Sequence, residues 1–307
     1  MFKYTLDNKR YHTLNYHLKE KYGKKTFKVS LNANFSCPNK KNGNGCIFCS
    51  KLGSGDFAGD VNKDLITQFN EVKTIMEKKW PDSYYIGYFQ ANTNTYAPLN
   101  VLKEKYETIL SLPNVIGLDI ATRSDAISNE VLDYLEELNK KTNLTIELGL
   151  QSMHEKTLNL IKRGHDLTNF ENMVKELQKR NIEVVVHIIN GLPGETKDDM
   201  LETARYLNKL KINGIKIHML YIVENTELYE MYKENSFHIL SKEEYIDIVI
   251  SQLELLDEEI VIHRITGDPK KEDLLEPTWL LKKFCVLNDI DKEMVKRNTY
   301  QGKHANN

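Results

Sequence analysis

No stretch of this sequence is long and apolar enough to cross a membrane; a run of ~18 apolar residues is needed, and none occurs. Residues 1–9 are polar and lack the apolar core of a signal peptide, so the expectation is a cytoplasmic protein with no membrane partner. Cysteine is scarce, at four in 307 residues, which argues against a disulfide-built scaffold. A chain of this length buries most of its apolar surface without such staples. Internal repeats, low-complexity tracts and Pro/Gly-rich linkers are also missing, and the length suits one α/β barrel.

What is present is a hydrophobic fraction of 40% and a charged fraction of 28%, those of a soluble globular protein. The net charge of -2 hides an asymmetry. Up to Lys51, eleven basic side chains face only Asp7 and Glu20, and the remainder is correspondingly acidic. Such a basic segment suggests a surface facing a polyanion, or else a solvated lysine-rich face. Lys19, Lys21, Lys24 and Lys25 are expected near the barrel mouth, with the rings of Tyr11, His12, Tyr16 and Tyr22 interleaved.

Short β-branched runs alternate with amphipathic stretches. Strands are predicted at 27–34, 84–90, 115–122, 144–150, 183–189, 214–222 and 260–266. Runs such as Val184-Val185-Val186 suit strands buried on both faces. Apolar residues at helical spacing predict helices at 62–79, 99–110, 129–140, 169–180, 197–210 and 241–259. About six strand–helix repeats argue for a parallel α/β fold, a partial (β/α)6 barrel. The expected organisation is a basic N-terminal extension at 1–26, the barrel at 27–268 and a helical C-terminal extension at 269–307. In that extension a helix is predicted at 276–287 and a frayed tail at 300–307. Gln90, Arg123, Gln151 and Asn190 all fall just past predicted strands, on the edge where such folds keep their sites.

Three of the four cysteines, Cys37, Cys46 and Cys49, fall within thirteen residues after the first strand. Gly43 and Gly45 make the intervening loop pliable enough to wrap a metal centre. Thiolates are the ligands of iron–sulfur clusters. Three of them on a four-iron cube leave one iron open to a small chelating molecule. A structural zinc site is the alternative; it wants four closed ligands, and only Cys285 or His165 could supply the fourth.

With this loop the sequence resembles the radical S-adenosylmethionine (SAM) superfamily over about residues 27–268. The eight-residue first gap of the cysteine motif is similar to that of the tRNA-modifying Elongator-type branch. Further residues carry a resemblance to the YhcC/YtqA-type family across nearly the whole chain. These are Arg10-Tyr11-His12-Thr13-Leu14-Asn15, the segment 53–59, the segment 89–98, and Thr266-Gly267-Asp268. The resemblance implies a [4Fe–4S] cluster on Cys37, Cys46 and Cys49, with SAM beside it. It places Phe48 near the SAM adenine, Gln90 and Asn92 where relatives hold the SAM amino group, and Thr122 and Arg123 at the third strand end. Glu147 and Gln151 match a ribose motif, Arg163 an arginine that meets the SAM carboxylate, and His187 and Asn190 a fifth-strand motif beside the adenine. One electron from a reductant such as flavodoxin or ferredoxin then cleaves SAM to a 5′-deoxyadenosyl radical. The implied substrate is tRNA, and the implied step removes the carboxymethyl group from a wobble carboxymethylaminomethyluridine to leave aminomethyluridine. The alternatives are a radical SAM enzyme acting on a small molecule or protein, and a zinc-binding RNA adaptor without catalysis.

Overall fold

The computed structural model describes residues 2–4, 7–41, 43, 45–50 and 58–305. Strands β1 (Thr26–Leu31), β2 (Tyr84–Phe89), β3 (Val115–Thr122), β4 (Asn143–Gln151), β5 (Glu183–Asn190), β6 (Gly214–Met219), β7 (Ile222–Val223), β8 (Val261–Arg264) and β9 (Leu274–Glu276) form two sheets. The main sheet runs β1-β2-β3-β4-β5-β6-β8, every pair parallel. It curls into an open half-barrel with helices packed on its outer face. The helices are α1 (Leu14–Tyr22), α2 (Pro38–Lys41), α3 (Leu65–Glu77), α4 (Leu99–Leu110), α5 (Asn129–Asn139), α6 (Glu155–Leu160), α7 (Leu167–Lys179), α8 (Lys197–Lys209), α9 (Glu227–Lys233), α10 (Lys242–Leu255) and α11 (Lys283–Lys296).

Period-two alternation decides which side chains enter the barrel. On β4, Leu144, Ile146, Leu148 and Leu150 are buried in the apolar layer beneath the helices. Glu147, Gly149 and Gln151 face the interior instead. Helix α5 shows how the outer layer is held: Ser128 caps it by accepting from Val131 N, and Val131, Leu135 and Leu138 of its buried face join the same apolar layer.

The two edge strands, β1 and β8, do not pair, and α1 packs against both. Thr13 caps α1 by accepting from Tyr16 N and also bridges to Ile262 of β8. Ile262 N donates to His12 O at 2.8 Å. Gln301 locks this seam. Its side chain accepts from His12 N at 2.8 Å and donates to Asp257 O and Ile260 O, and its own N–H donates to Arg10 O. The described part of the tail expected to fray, 300–305, is therefore fixed, with Gln301 fully buried and Gly302 N and His304 N donating to Leu253 O and Glu254 O.

Two further expectations change. The strand expected at 214–222 is not a single strand, because its end, β7, leaves the main sheet to pair antiparallel with β9. Ile222 there packs in a second apolar cluster with Ile47, Leu192 and Leu228. The helix expected at 276–287 begins only at Lys283, after a 3-10 turn at Thr278–Lys282, since Glu276 is committed to β9.

Candidate active site

A cavity of about 270 Å³ opens at the C-terminal ends of the main-sheet strands. Cys37, Cys46 and Cys49 all line it. Cys37 precedes α2, and its carbonyl accepts from Lys40 N and Lys41 N. Cys46 and Cys49 share a tight turn, Cys49 N donating to Cys46 O at 3.0 Å. The loop is pinned from outside: Ile47 N donates to Ile161 O beyond α6, and Ile47 O accepts from Leu228 N of α9. Asn39 Nδ2 reaches Lys162 O at 2.8 Å and Cys46 Sγ at 3.5 Å.

Two arginines stand over these thiols. Arg163 is 5% exposed; its Nη2 donates to Gly149 O at 2.6 Å and its Nη1 lies 3.9 Å from Cys46 Sγ. Arg123 grips Asp125 with two hydrogen bonds of 2.8 Å and donates a third to Arg163 O. A hydrogen bond from the Cys49 thiol, helped by Arg163 and Arg123, pulls Cys46 down to about 5 against its burial. Cys49, the donor and itself buried, moves up. Two buried polar atoms on the cavity residues, Gln151 Oε1 and Arg163 Nε, have no partner among the described residues. Gly149 keeps this corner open, for a Cβ there would stand 2.7 Å from Gln151 Nε2 and 2.8 Å from Arg163 Nη2.

The floor is a buried ionic layer with one group from each of several strands. Glu147 Oε1 accepts from Lys28 Nζ at 2.9 Å; its Oε2 meets Lys216 Nζ at 2.5 Å and His187 Nε2 at 2.9 Å. Lys28 also pairs with Asp119 and lies 3.0 Å from His263 Nδ1. Burial alone would raise the Glu147 carboxyl, but Lys216, Lys28 and His187 hold it well below the usual carboxylate range. Burial pushes Lys216 down to about 8 and His187 down to about 4.

Of the residues singled out from sequence, Phe48, Gln90, Asn92, Thr122, Arg123, Glu147, Gln151, Arg163 and His187 join the cysteines around this cavity. Asn190 does not. It has the opposite strand parity from His187, and its amide exchanges two hydrogen bonds with Gln252 of α10 on the outer face. Glu147 lines the cavity, yet both its oxygens are already engaged. Sequence reasoning passed over Tyr88, Lys216 and Arg264, which also line it. Lys216 shares strand parity on β6 with His218, which also lines the cavity, so alternation could have found it.

Lys21 and Lys24 lie on the opposite rim from the one expected, whereas Lys40 and Lys41 of the same basic segment stand by the cavities. Lys21 pairs with Glu183, the first residue of β5, and Lys24 with Asp82, just before β2. Both partners mark the N-terminal ends of strands. Tyr11 is buried and His12 is stacked on Tyr4, so neither ring is offered to a nucleic acid. The candidate fourth zinc ligands lie elsewhere: Cys285 is exposed on α11, and His165 Nδ1 sits beside Ser124 Oγ and Asp166 O. Among the described residues no three His, Cys, Asp or Glu side chains gather closely enough to hold one metal ion. Residues 53–57 of the glycine-rich segment lie outside the described residues.

Residues 36–207 match the Radical SAM superfamily. The chain belongs to that superfamily. Residues 212–296 match the radical SAM C-terminal domain. This radical SAM chain is 48% identical to YtqA of Bacillus subtilis over 305 residues, 98% of this chain and 95% of that protein. It is 30% identical to YhcC of Escherichia coli, over 90% of this chain and 89% of that protein. It is thus a YhcC/YtqA-type member, and its cofactors are a [4Fe–4S] cluster and SAM. Half of it, 156 residues, is 28% identical to the tRNA uridine(34) acetyltransferase of Methanocaldococcus infernus, covering 29% of that protein. The fold is similar to that of an N-terminally truncated Elp3 from the same archaeon, with a TM-score of 0.67 at 18% identity over 90% of this chain and 64% of that one.

Proposed function

We propose that this radical SAM enzyme modifies the wobble uridine of tRNA, removing the carboxymethyl group from carboxymethylaminomethyluridine to give aminomethyluridine. The observation that carries the reading is one cavity lined by three thiols, Arg163 and Gln151 at the strand C-termini of a half-barrel. The tRNA part draws on the chain's likeness to a tRNA uridine(34) acetyltransferase.

The residues present fit both cofactors. Cys37, Cys46 and Cys49 would hold the cluster, a soft thiolate donor set suited to iron–sulfur. Arg163, beside the Cys46 sulfur, offsets negative charge there. The unpartnered Gln151 Oε1 and Arg163 Nε lack only a polar ligand, which the ribose and carboxylate of SAM supply. Phe48, Gln90, Asn92, Thr122 and His187 complete the SAM surroundings. Asn190 is assigned no contact with SAM, since Gln252 holds it on the other face. When bound, the two cofactors supply a 5′-deoxyadenosyl radical that takes a hydrogen atom from an unactivated C–H bond. The chain's own part is to orient the substrate, keep out water and hold the floor charges fixed. Glu147 does the last of these by binding Lys28, Lys216 and His187 at once.

The test compares modified nucleosides in tRNA from wild-type and deletion cells. Accumulated carboxymethylaminomethyluridine in the deletion strain supports the reading. An unchanged nucleoside profile, with SAM cleavage intact in the purified protein, would shift the substrate to a small molecule or protein.

A further inference from the structure

A second cavity, of about 770 Å³, lies on the same rim as the first. We propose that it binds one nucleotide of single-stranded RNA, a neighbour of the base presented to the cysteine-lined cavity. This rests on the tRNA reading above and names where the substrate is gripped outside the reaction chamber.

The second cavity is walled by residues 33–36, 95–98 and 125–128, which follow β1, β2 and β3. Ser36 in its wall is joined directly to Cys37 in the wall of the first cavity. Arg123 faces the first cavity, while its ion partner Asp125 lines the second. A strand of nucleic acid reaching one can therefore reach the other with its next residue.

The chemistry of the walls is that of a base and its phosphate. Phe35 and Tyr96 provide rings, and Val101 and Ile127 add apolar surface, as a base face requires. Lys41 lies 6.0 Å from the Tyr96 ring centroid and Lys105 lies 5.7 Å from that of Phe35. Neither lysine forms an ion pair with any described residue, whereas Lys21, Lys24 and Lys28 all do. The acid in the lining, Asp125, is neutralised by the two-point grip of Arg123. Helices α4 and α5 also begin here, at Pro98 and Ser128, and add positive partial charge. The cavity is thus cationic and aromatic, and its lysines cover rings that a base would stack on. A base would displace each ammonium towards the phosphate. A neutral metabolite would leave the two lysines without use.

The experiment is fluorescence anisotropy with a labelled anticodon stem–loop RNA, using the full chain with its cluster. Tyr96→Ala is expected to weaken binding about tenfold, and Tyr96→Phe, which keeps the ring, by much less. Lys105→Ala should also weaken it and make the plot of log affinity against log salt shallower by about 0.7. Iron content and SAM binding of all three should match wild type. Wild-type affinity and salt slope in both alanine variants, with the unaltered protein still binding RNA, would overturn this site and leave the tRNA reading standing. No RNA binding by the unaltered protein would overturn both. If Tyr96→Ala does not fold, Lys105→Ala, a half-buried side chain on α4, decides alone.

Discussion

Gly149 shows how a missing side chain can serve a site. A methyl group there would press on the ends of Gln151 and Arg163, both flexible, and not on backbone. Gly149→Ala should therefore fold normally, keep its iron and bind SAM more weakly. Equal SAM affinity by calorimetry in the variant would count against the corner assigned to SAM. Glu147 is the contrary case. It is fully buried among Lys28, Lys216 and His187, so removing its charge strands the buried Lys216 and leaves Lys28 with Asp119 alone. Glu147→Gln should cost about 3–5 kcal/mol in urea unfolding. Cys285→Ala should leave the iron content unchanged, because that thiol is exposed on α11, whereas Cys46→Ala should abolish it. These positions differ in how visible they were. The cysteine spacing declared itself. The engagement of Glu147 by Lys28 and Lys216 joins β4 to β1 and β6, and no local pattern carries such a link.

Strands and helices were mostly legible because their patterns are local. Helix 99–110 was anticipated to the residue, and β3 likewise, since period and burial agree there. Asn190 was placed on the wrong face although it ends a correctly read strand. Position past a strand does not decide the face; parity from His187 does, and it turns Asn190 outward. Lys21 and Lys24 meet the opposite rim from the one expected because charge along a chain does not show which end of a barrel it meets. The seam was illegible for a similar reason. Gln301 and His12 are 289 positions apart, and neither stands out alone. Gln301→Ala leaves His12 N–H and two carbonyls of the 257–260 turn without their partner. About 1–3 kcal/mol should be lost, and hydrogen exchange at Ile262 should quicken with little change at β4.

The buried histidines give the protein an acid limit. Burial pushes His187 down to about 4, and His218 and His263 well below the ordinary 6.5. These rings stay neutral when folded but take up protons once unfolded. Stability from them is complete above pH 6.5 and falls as pH drops below it. Between pH 6.5 and 5.5 the loss should be about 1 kcal/mol per histidine. Urea midpoints across that range would check it, and a flat profile would refute the neutral assignment. The closed seam also has a bearing on synthesis. As the chain leaves the ribosome, β8 emerges with His12 and Thr13 ready to cover its edge, but the latch at residue 301 is still unmade. A message cut short in that interval yields a nearly complete sheet whose last edge is unlatched, and such an edge is a template for other chains. Such products should be found in aggregates and not among soluble partly folded chains, so the latch at Gln301 acts as a check on the sheet made before it.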